Sequence, residues 1–344
     1  MSEGKLKPLI VPVFIPNMGC PHRCVFCEQE KITSQHKFPV NGRHVENILD
    51  TAVRSRDFDP RRKPEVAFFG GTFTRLSKER METLLGAVEP YIKRGLFQSI
   101  RVSTRPDALD KERLDLMKAH GVVTVELGAQ SMDDRVLSLS NRGHTAKDTV
   151  KGVQSLREYG FRVGIQLMPG LPGDSNECFR STITRVISLH PDMVRLYPAL
   201  VIRGTELVNW YSEGRYSPLS LQEAVEICME GCMRLESEHI PVIRIGLMSS
   251  PTLLKKGQIV AGPWHTAFGF LVRSGIHLKK IAPCLPEQGE VSQIRIHAPK
   301  REANLVRGYK NQGIEWIEQR TGAKVVGVES DDSIDSGSVR IENI

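Results

Sequence analysis

Three cysteines, Cys20, Cys24 and Cys27, lie within eight residues of one another in a C-x-x-x-C-x-x-C spacing. Thiolates this close in one loop can wrap a face of a metal ion or of a compact metal–sulfur cluster. A structural zinc site wants four closed ligands. The next cysteine is Cys178, so His22 or His36 would have to complete such a site. An electron-transfer 4Fe–4S site also takes four thiolates, usually at C-x-x-C-x-x-C spacing. A 4Fe–4S cluster held by only three would leave one iron open to a small-molecule ligand. The residues alone leave zinc and cluster both standing.

The elements that must position this loop alternate. Strand-like segments are expected at 9–16, 65–71, 99–105, 123–130, 162–169 and 193–199, short and rich in Val, Ile and Phe. Helical patterns fall between them at 42–55, 77–94, 110–120, 146–159 and 176–189, with Ser77 and Ser175 as N-caps. About six β-then-α units predict a parallel sheet with helical crossovers, either doubly wound or a partial barrel. Both architectures build their sites at the C-terminal ends of strands. There the sequence places Cys20, Gly70-Gly71-Thr72, Ser103 and Arg105, Gly128 to Ser131, Met168 to Pro172, and Tyr197-Pro198. Alternation puts Glu126, Gly128 and Gln130 on one face of their strand. A carboxylate inside an apolar strand is costly unless paired, so Glu126 marks either a ligand site or a buried hydrogen-bonded pair. Tyr197, at a strand end, is either a hydrogen donor or substrate contact, or a core tyrosine.

The loop, with Phe26 before its last cysteine, resembles that of the radical S-adenosylmethionine (SAM) superfamily. Further likenesses, in order, are Phe69-Gly70-Gly71-Thr72-Phe73, Ser103-Thr104-Arg105-Pro106-Asp107, Glu126 to Ser131, Asn141-Arg142-Gly143-His144-Thr145, Met168 to Gly173, and Tyr197-Pro198 with Ile202 to Thr205. They are similar to one branch, that of the Elongator catalytic subunit and its bacterial and archaeal relatives, with oxygen-independent coproporphyrinogen oxidase more distant. The resemblance covers about residues 9–245 and implies a partial (β/α)6 TIM-like barrel, within α/β architecture. It implies that Cys20, Cys24 and Cys27 hold a 4Fe–4S cluster whose open iron is chelated by SAM. The reduced cluster then cleaves SAM to methionine and a 5′-deoxyadenosyl radical, which abstracts a substrate hydrogen. By the same likeness Phe26, Gly70, Gly71, Thr72, Ser103, Arg105, Gln130, Arg142 and Gln166 belong to the cofactor site. The glycines would let the backbone approach the ligand, and Arg142 would grip the SAM carboxylate. Tyr197 and Glu126 are the candidates for catalysis. A flavodoxin or ferredoxin is the expected electron donor.

The 344 residues carry 47 Lys and Arg against 40 Asp and Glu, a net charge of +7. That excess is uneven: +3 over 1–240, +8 over 241–328 and −4 over 329–344. The sequence therefore divides into a core domain, 1–247, and an α+β appendage, 248–344, with an acidic tail. The appendage lysines and arginines (255, 256, 279, 280, 300, 301, 307 and 310) could meet RNA or simply be a solvated face. Few aromatics accompany them, which argues against a base-stacking platform. Its elements are expected near 293–297, 303–311 and 325–328, and 330–338 reads as a mobile loop or hairpin.

No apolar run approaches a membrane span, and the stretch 9–15 is read as a buried strand of a cytoplasmic protein rather than a signal peptide. Seven cysteines in that compartment argue against disulfides. Cys178, Cys228, Cys232 and Cys284 are either buried packing residues or, less simply, an auxiliary cluster. His265 beside Trp264 either lines a substrate pocket or is structural. The chain is too short for the acetyltransferase domain of the Elongator subunit, and neither its N-terminal RNA-binding extension nor a cobalamin domain is evident. Acetyl transfer is therefore not carried over. The substrate expected is a nucleic-acid base, with a porphyrin-like or other small metabolite as the alternative enzyme reading. A non-catalytic Fe–S or zinc protein that binds RNA is the alternative outside enzymes.

Overall fold

The computed structural model describes residues 8–34 and 40–344. The core begins with β1 (Ile10–Phe14), α1 (Gln29–Thr33), α2 (Gly42–Arg54), β2 (Glu65–Phe69), α3 (Lys78–Gly86), α4 (Glu89–Lys93), β3 (Ser99–Thr104) and α5 (Lys111–Ala119). It continues with β4 (Val122–Gln130), α6 (Asp134–Leu139), α7 (Ala146–Glu158), β5 (Arg162–Leu167), α8 (Asn176–Ile187), β6 (Met193–Leu196), β7 (Val201–Ile202), α9 (Glu206–Ser212), α10 (Leu221–Ser237) and β8 (Val242–Ile245). The remainder carries β9 (Ile259–Ala261), α11 (Phe268–Ile281), β10 (Gln293–Ala298), α12 (Ala303–Arg307), α13 (Gln312–Thr321), β11 (Lys324–Ser330) and β12 (Arg340–Asn343).

Strand order decides between the two architectures. The main sheet runs β1-β2-β3-β4-β5-β6-β8, all parallel. Each core strand lies beside its predecessor, with none of the order reversal that defines a doubly wound sheet. The result is a curled half-barrel of seven strands, one more than the six units expected. The outer face packs on helices through Val66, Phe68, Ile100, Val102, Val125, Leu127, Val163, Ile165, Val194 and Leu196, all at most 1% exposed. The alternate positions face the barrel interior, and there the residues are polar: Glu65, Ser99, Arg101, Glu126, Gln166 and Arg195.

Both expected caps form: Ser77 accepts from the Arg80 N–H, and Ser175 from that of Cys178. The helix expected over 77–94 is two, α3 and α4, because Pro90 near the start of α4 has no N–H to continue the first.

The C-terminal residues form a three-stranded sheet, order β11-β10-β12, with β10 parallel to β11 and antiparallel to β12. The acidic stretch before β12 is a turn that returns the chain to the sheet edge, the hairpin-like alternative. Glu342 pairs with Arg295 and His297, and Asp331 with Arg340. Helix α11 had no counterpart in the sequence reading, since Gly269 and Gly275 lower its helix propensity. In the fold a Cβ on Gly275 would sit 2.4 Å from the Met229 sulfur of α10. That glycine is a packing gap between helices. Helix α11 joins two cores: Phe268, Val272 and Ile276 pack with the barrel, whereas Leu278 and Ile281 pack with the C-terminal sheet.

Ile281 is fully buried. Ile281→Ala should therefore cost roughly 2–5 kcal/mol in urea unfolding monitored by circular dichroism, through lost burial and a residual cavity.

Candidate functional site

The cysteine loop is held by backbone before any cofactor is considered. After β1 the chain turns at Asn17 and Gly19, both at positive φ (55° and 74°). Here the Thr72 N–H donates to the Met18 carbonyl at 2.8 Å. A Cβ on Gly71 would lie 2.2 Å from the Met18 oxygen and 2.7 Å from that of Ile15, and one on Gly19 would lie 2.3 Å from the Thr72 oxygen. No side chain fits between these two loops. The close approach that Gly71 permits is thus to the protein's own cysteine loop. Gly70, at φ 105°, makes the turn that brings it there. Thr72 is 1% exposed, with its hydroxyl 3.3 Å from the Cys20 sulfur. Phe26 packs behind the loop with Val25, Val136, Leu171 and Leu207, and Cys24 and Cys27 border that cluster.

Burial, then the neighbouring Cys24 and Cys20, pushes the Cys27 thiol up to about 12, against an opposing pull from Arg142 and Gln29. The three thiols are thus near enough to feel one another's charge. Yet among the described residues no three His, Cys, Asp or Glu side chains converge on one position, as a single ion requires. A polynuclear cluster, in which each thiolate binds a different iron, suits such a spread better than zinc. His36 lies outside the described residues.

Arg142 supplies the electrostatic test of that fit. It is 7% exposed, Nη1 donates to the Cys24 sulfur at 3.0 Å, and Nη2 donates to the Gly128 carbonyl. Its Nε has no hydrogen-bond partner among the described residues. No carboxylate lies within ion-pair distance of it among them. A buried cation without an anion is costly. Thiolates binding a metal cluster, or the carboxylate of an amino-acid ligand, would supply that anion.

Arg105, 5% exposed, grips Asp107 through two hydrogen bonds of 2.9 and 3.0 Å, and its Nη1 lies 3.2 Å from His22 Nε2. Arg75 reaches the same Asp107 carboxylate at 3.3 Å. His22 sits between Cys20 and Cys24, so this chain of contacts ties the cysteine loop to the end of β3. Gly143 makes room for it: a Cβ there would lie 2.5 Å from the His22 ring. The sequence reading gave Arg105 a cofactor role and passed over His22 as a tether and Asp107 as its anchor. The signal lay in Asp107 two residues after Arg105, a spacing that permits a bidentate pair.

Glu126 lies within a buried network. Its Oε1 takes Arg101 Nη1 at 2.5 Å and Arg195 Nη2 at 3.0 Å, while Arg101 also binds Glu65. Two arginines and two glutamates balance. Gly164 on β5 clears the space, since a Cβ there would lie 2.9 Å from the Glu126 side chain. Arg195 stacks over the Phe69 ring at 4.7 Å and donates to the Tyr197 hydroxyl at 3.3 Å. Glu126 is thereby linked to Tyr197 through Arg195. Neither Arg101 nor Arg195 was singled out in the sequence, because their partners stand on other strands.

Gln130 ends β4 at an irregularity in the pairing with β5, at φ 69°, and its side-chain oxygen accepts from Gln166 at 3.2 Å. Ser103 lies opposite Glu126 in the β3–β4 register and is half-buried. Of the remaining cysteines, Cys228 and Cys232 pack in the main core, Cys178 borders the Phe26 cluster and Cys284 is exposed. The fold does not gather these four.

Removing the carboxylate in Glu126→Ala strands the Arg195 charge. Unfolding free energy should fall by roughly 3–5 kcal/mol in urea titration. A second effect concerns His144, whose buried ring has no partner at Nδ1. Burial, then the charges of Arg142 and Arg105, lowers its pKa from 6.5 to about 4. The folded ring binds a proton less well than the unfolded one. Its contribution is full above about pH 6.5 and is lost as pH falls towards about 4, up to roughly 3 kcal/mol. His144→Gln should flatten the stability-against-pH curve across that window.

Comparison with known proteins agrees with this geometry. Residues 14–186 match the Radical SAM superfamily and residues 191–277 match the Radical_SAM C-terminal domain. The tRNA uridine(34) acetyltransferase of Methanocaldococcus infernus is 29% identical over 255 residues, which cover 63% of this chain and 48% of that protein. Human Elongator complex protein 3 is 31% identical over 276 residues, covering 66% and 50%. The chain thus spans about half the length of these relatives. The solved structure of the archaeal Methanocaldococcus infernus Elp3, with an N-terminal deletion, superposes with a TM-score of 0.61 at 23% identity, over 80% of this chain and 64% of that one, which bears on the fold.

Proposed function

The chain belongs to the radical SAM superfamily, and from that premise we propose that it binds a 4Fe–4S cluster and SAM and modifies an RNA base. When bound, the reduced cluster supplies the electron that splits SAM into methionine and a 5′-deoxyadenosyl radical. Cys20, Cys24 and Cys27 hold the cluster, and Phe26 and the Gly70-Gly71-Thr72 turn fix their loop. Arg142 neutralises anionic charge beside Cys24 and orients the amino-acid end of SAM. Gln130, Gln166 and Ser103 present polar groups from the barrel interior and its rim towards the rest of that ligand. Arg105 acts through His22 and Asp107 to hold the loop in register. Tyr197, oriented by Arg195, is the group proposed to meet the substrate at the mouth, and Glu126 sets that orientation from beneath. A flavodoxin or ferredoxin delivers the electron.

The observation that carries the reading is the buried Arg142, short of an anion and 3.0 Å from the Cys24 sulfur. The RNA assignment draws on the tRNA-directed activity printed for the archaeal relative and on the basic C-terminal residues.

Anaerobic reconstitution should give a brown protein that, once reduced, releases 5′-deoxyadenosine from SAM by chromatography. Cys24→Ala should lose both the iron–sulfur absorbance and the product. Arg142→Gln should keep most of the absorbance while product formation falls at least about tenfold, the loss of one charge-assisted contact. A colourless zinc protein would overturn the reading. Nucleoside mass spectrometry of tRNA incubated with the reduced enzyme tests the substrate class, and an unchanged nucleoside profile beside a modified porphyrin would reassign it.

A further inference from the structure

A cavity lies at the rim of the half-barrel beyond β6 and β8. It is walled by Pro198 after β6, by Gly246 and Leu247 after β8, and by Trp264, His265 and Phe268 from the stretch joining β9 to α11. Pro198 directly follows Tyr197, so the cavity borders the residue assigned to the substrate. Trp264 and His265 are half-buried and reachable from solvent.

The C-terminal part of the chain completes this wall. The Tyr309 ring, between α12 and α13, meets His265 edge-on, with centroids 4.6 Å apart at 90°. The exposed Lys310 ammonium lies 5.6 Å from the centre of the Tyr309 ring. His265 accepts at Nδ1 from the Ala267 N–H at 3.0 Å, which fixes the ring and leaves Nε2 as a donor. The backbone that presents Tyr309 is held in an unfavourable conformation. Lys310 and Asn311 have φ of 50° and 67°, after Gly308 at 71°. Strain of this kind in non-glycine residues persists where the surroundings enforce it, and it clusters at ligand clamps and active sites.

The ligand that suits this wall has a flat ring and a negative charge. The ring can lie against Trp264 and Tyr309, receive a hydrogen bond from His265, and leave its anion beside Lys310. Exposed Lys255 and Lys256 follow β8 in the chain and raise the positive charge of this region. Sequence alone could not pair Tyr309 with Trp264 and His265, more than forty residues away, which is why the basic region read as poor in aromatics. We propose that this cavity receives a nucleobase of the RNA substrate, unstacked from its neighbours, with Tyr309 and Lys310 as the stacking and phosphate contacts. The inference rests on the RNA reading above.

The test uses the reconstituted full chain and fluorescein-labelled unfractionated tRNA, with anisotropy read across a salt series. Tyr309→Ala should weaken binding about tenfold, the scale of one lost base–aromatic contact, and Tyr309→Phe should keep it. Lys310→Ala, at an exposed side chain, should lower the slope of log affinity against log salt by roughly 0.7. Equilibrium dialysis with SAM should give the same affinity in both alanine variants as in wild type. Wild-type protein that cleaves SAM but binds no tRNA would remove the RNA reading, and this inference with it. Wild-type tRNA binding left unaltered by Tyr309→Ala and Lys310→Ala would overturn the inference alone. Weakened SAM binding in step with tRNA would assign the cavity to the adenosine of SAM and overturn it as well.

Discussion

The close passage of two backbone turns sets the geometry of the site. Met18–Gly19 after β1 and Gly71–Thr72 after β2 run so near that a Cβ on Gly71 would lie 2.2 Å from a carbonyl oxygen. A glycine there is a steric requirement of the cysteine loop itself. The loop's position relative to the sheet follows, because β1 and β2 pair in parallel immediately before the two turns. Three cysteines on a free loop would have to be ordered at the moment of cofactor binding, and the entropy cost would fall on affinity. Docking the loop on Gly71, and tying it through His22 to Arg105 and Asp107, meets much of that cost during folding.

The barrel interior obeys a different constraint, charge balance without water. Glu65, Arg101, Glu126 and Arg195 neutralise one another in a space that a hydrophobic core could have filled. Such a network gives little net stability and fails badly when one member is removed. Its product here is orientation. Arg195 is held by Glu126 on one side and by the Phe69 ring on another, and its remaining donor meets Tyr197. The polar interior thereby continues from the base of the strands to the mouth, where Gln130 and Gln166 join it. Arg142 differs in kind: its charge has no such internal answer, so an external anion has something to add.

The parts of this arrangement visible in the sequence are local in the chain. The cysteine spacing, the glycines after β2 and the alternation of Glu126 with Gln130 each lie within a few residues, and period-two reasoning places them. Three kinds of information were out of reach. Strand order chose the half-barrel over a doubly wound sheet, and hydrophobic pattern is the same for both. Ion pairs between strands gave Glu126 its partners, with Arg101 and Arg195 lying 25 and 69 positions away in the chain. Glycines hid α11, because a residue with poor helix propensity serves there to bring two helices together at Met229.

That hidden helix bears on how substrate contact and radical chemistry could be joined in one chain. Helix α11 buries Phe268 and Val272 against the barrel and Ile281 against the C-terminal sheet. Phe268 also lines the rim cavity, and Ser274 on the same helix donates to the Leu305 carbonyl of α12 at 2.7 Å, just before the turn that carries Tyr309. The cavity wall and the sheet that completes it therefore rest on one rigid element. A flexible linker would have let the C-terminal part capture RNA at a variable distance from the cysteines. A shared helix instead sets that distance, which suits a reaction in which a short-lived radical must find one hydrogen on one bound base.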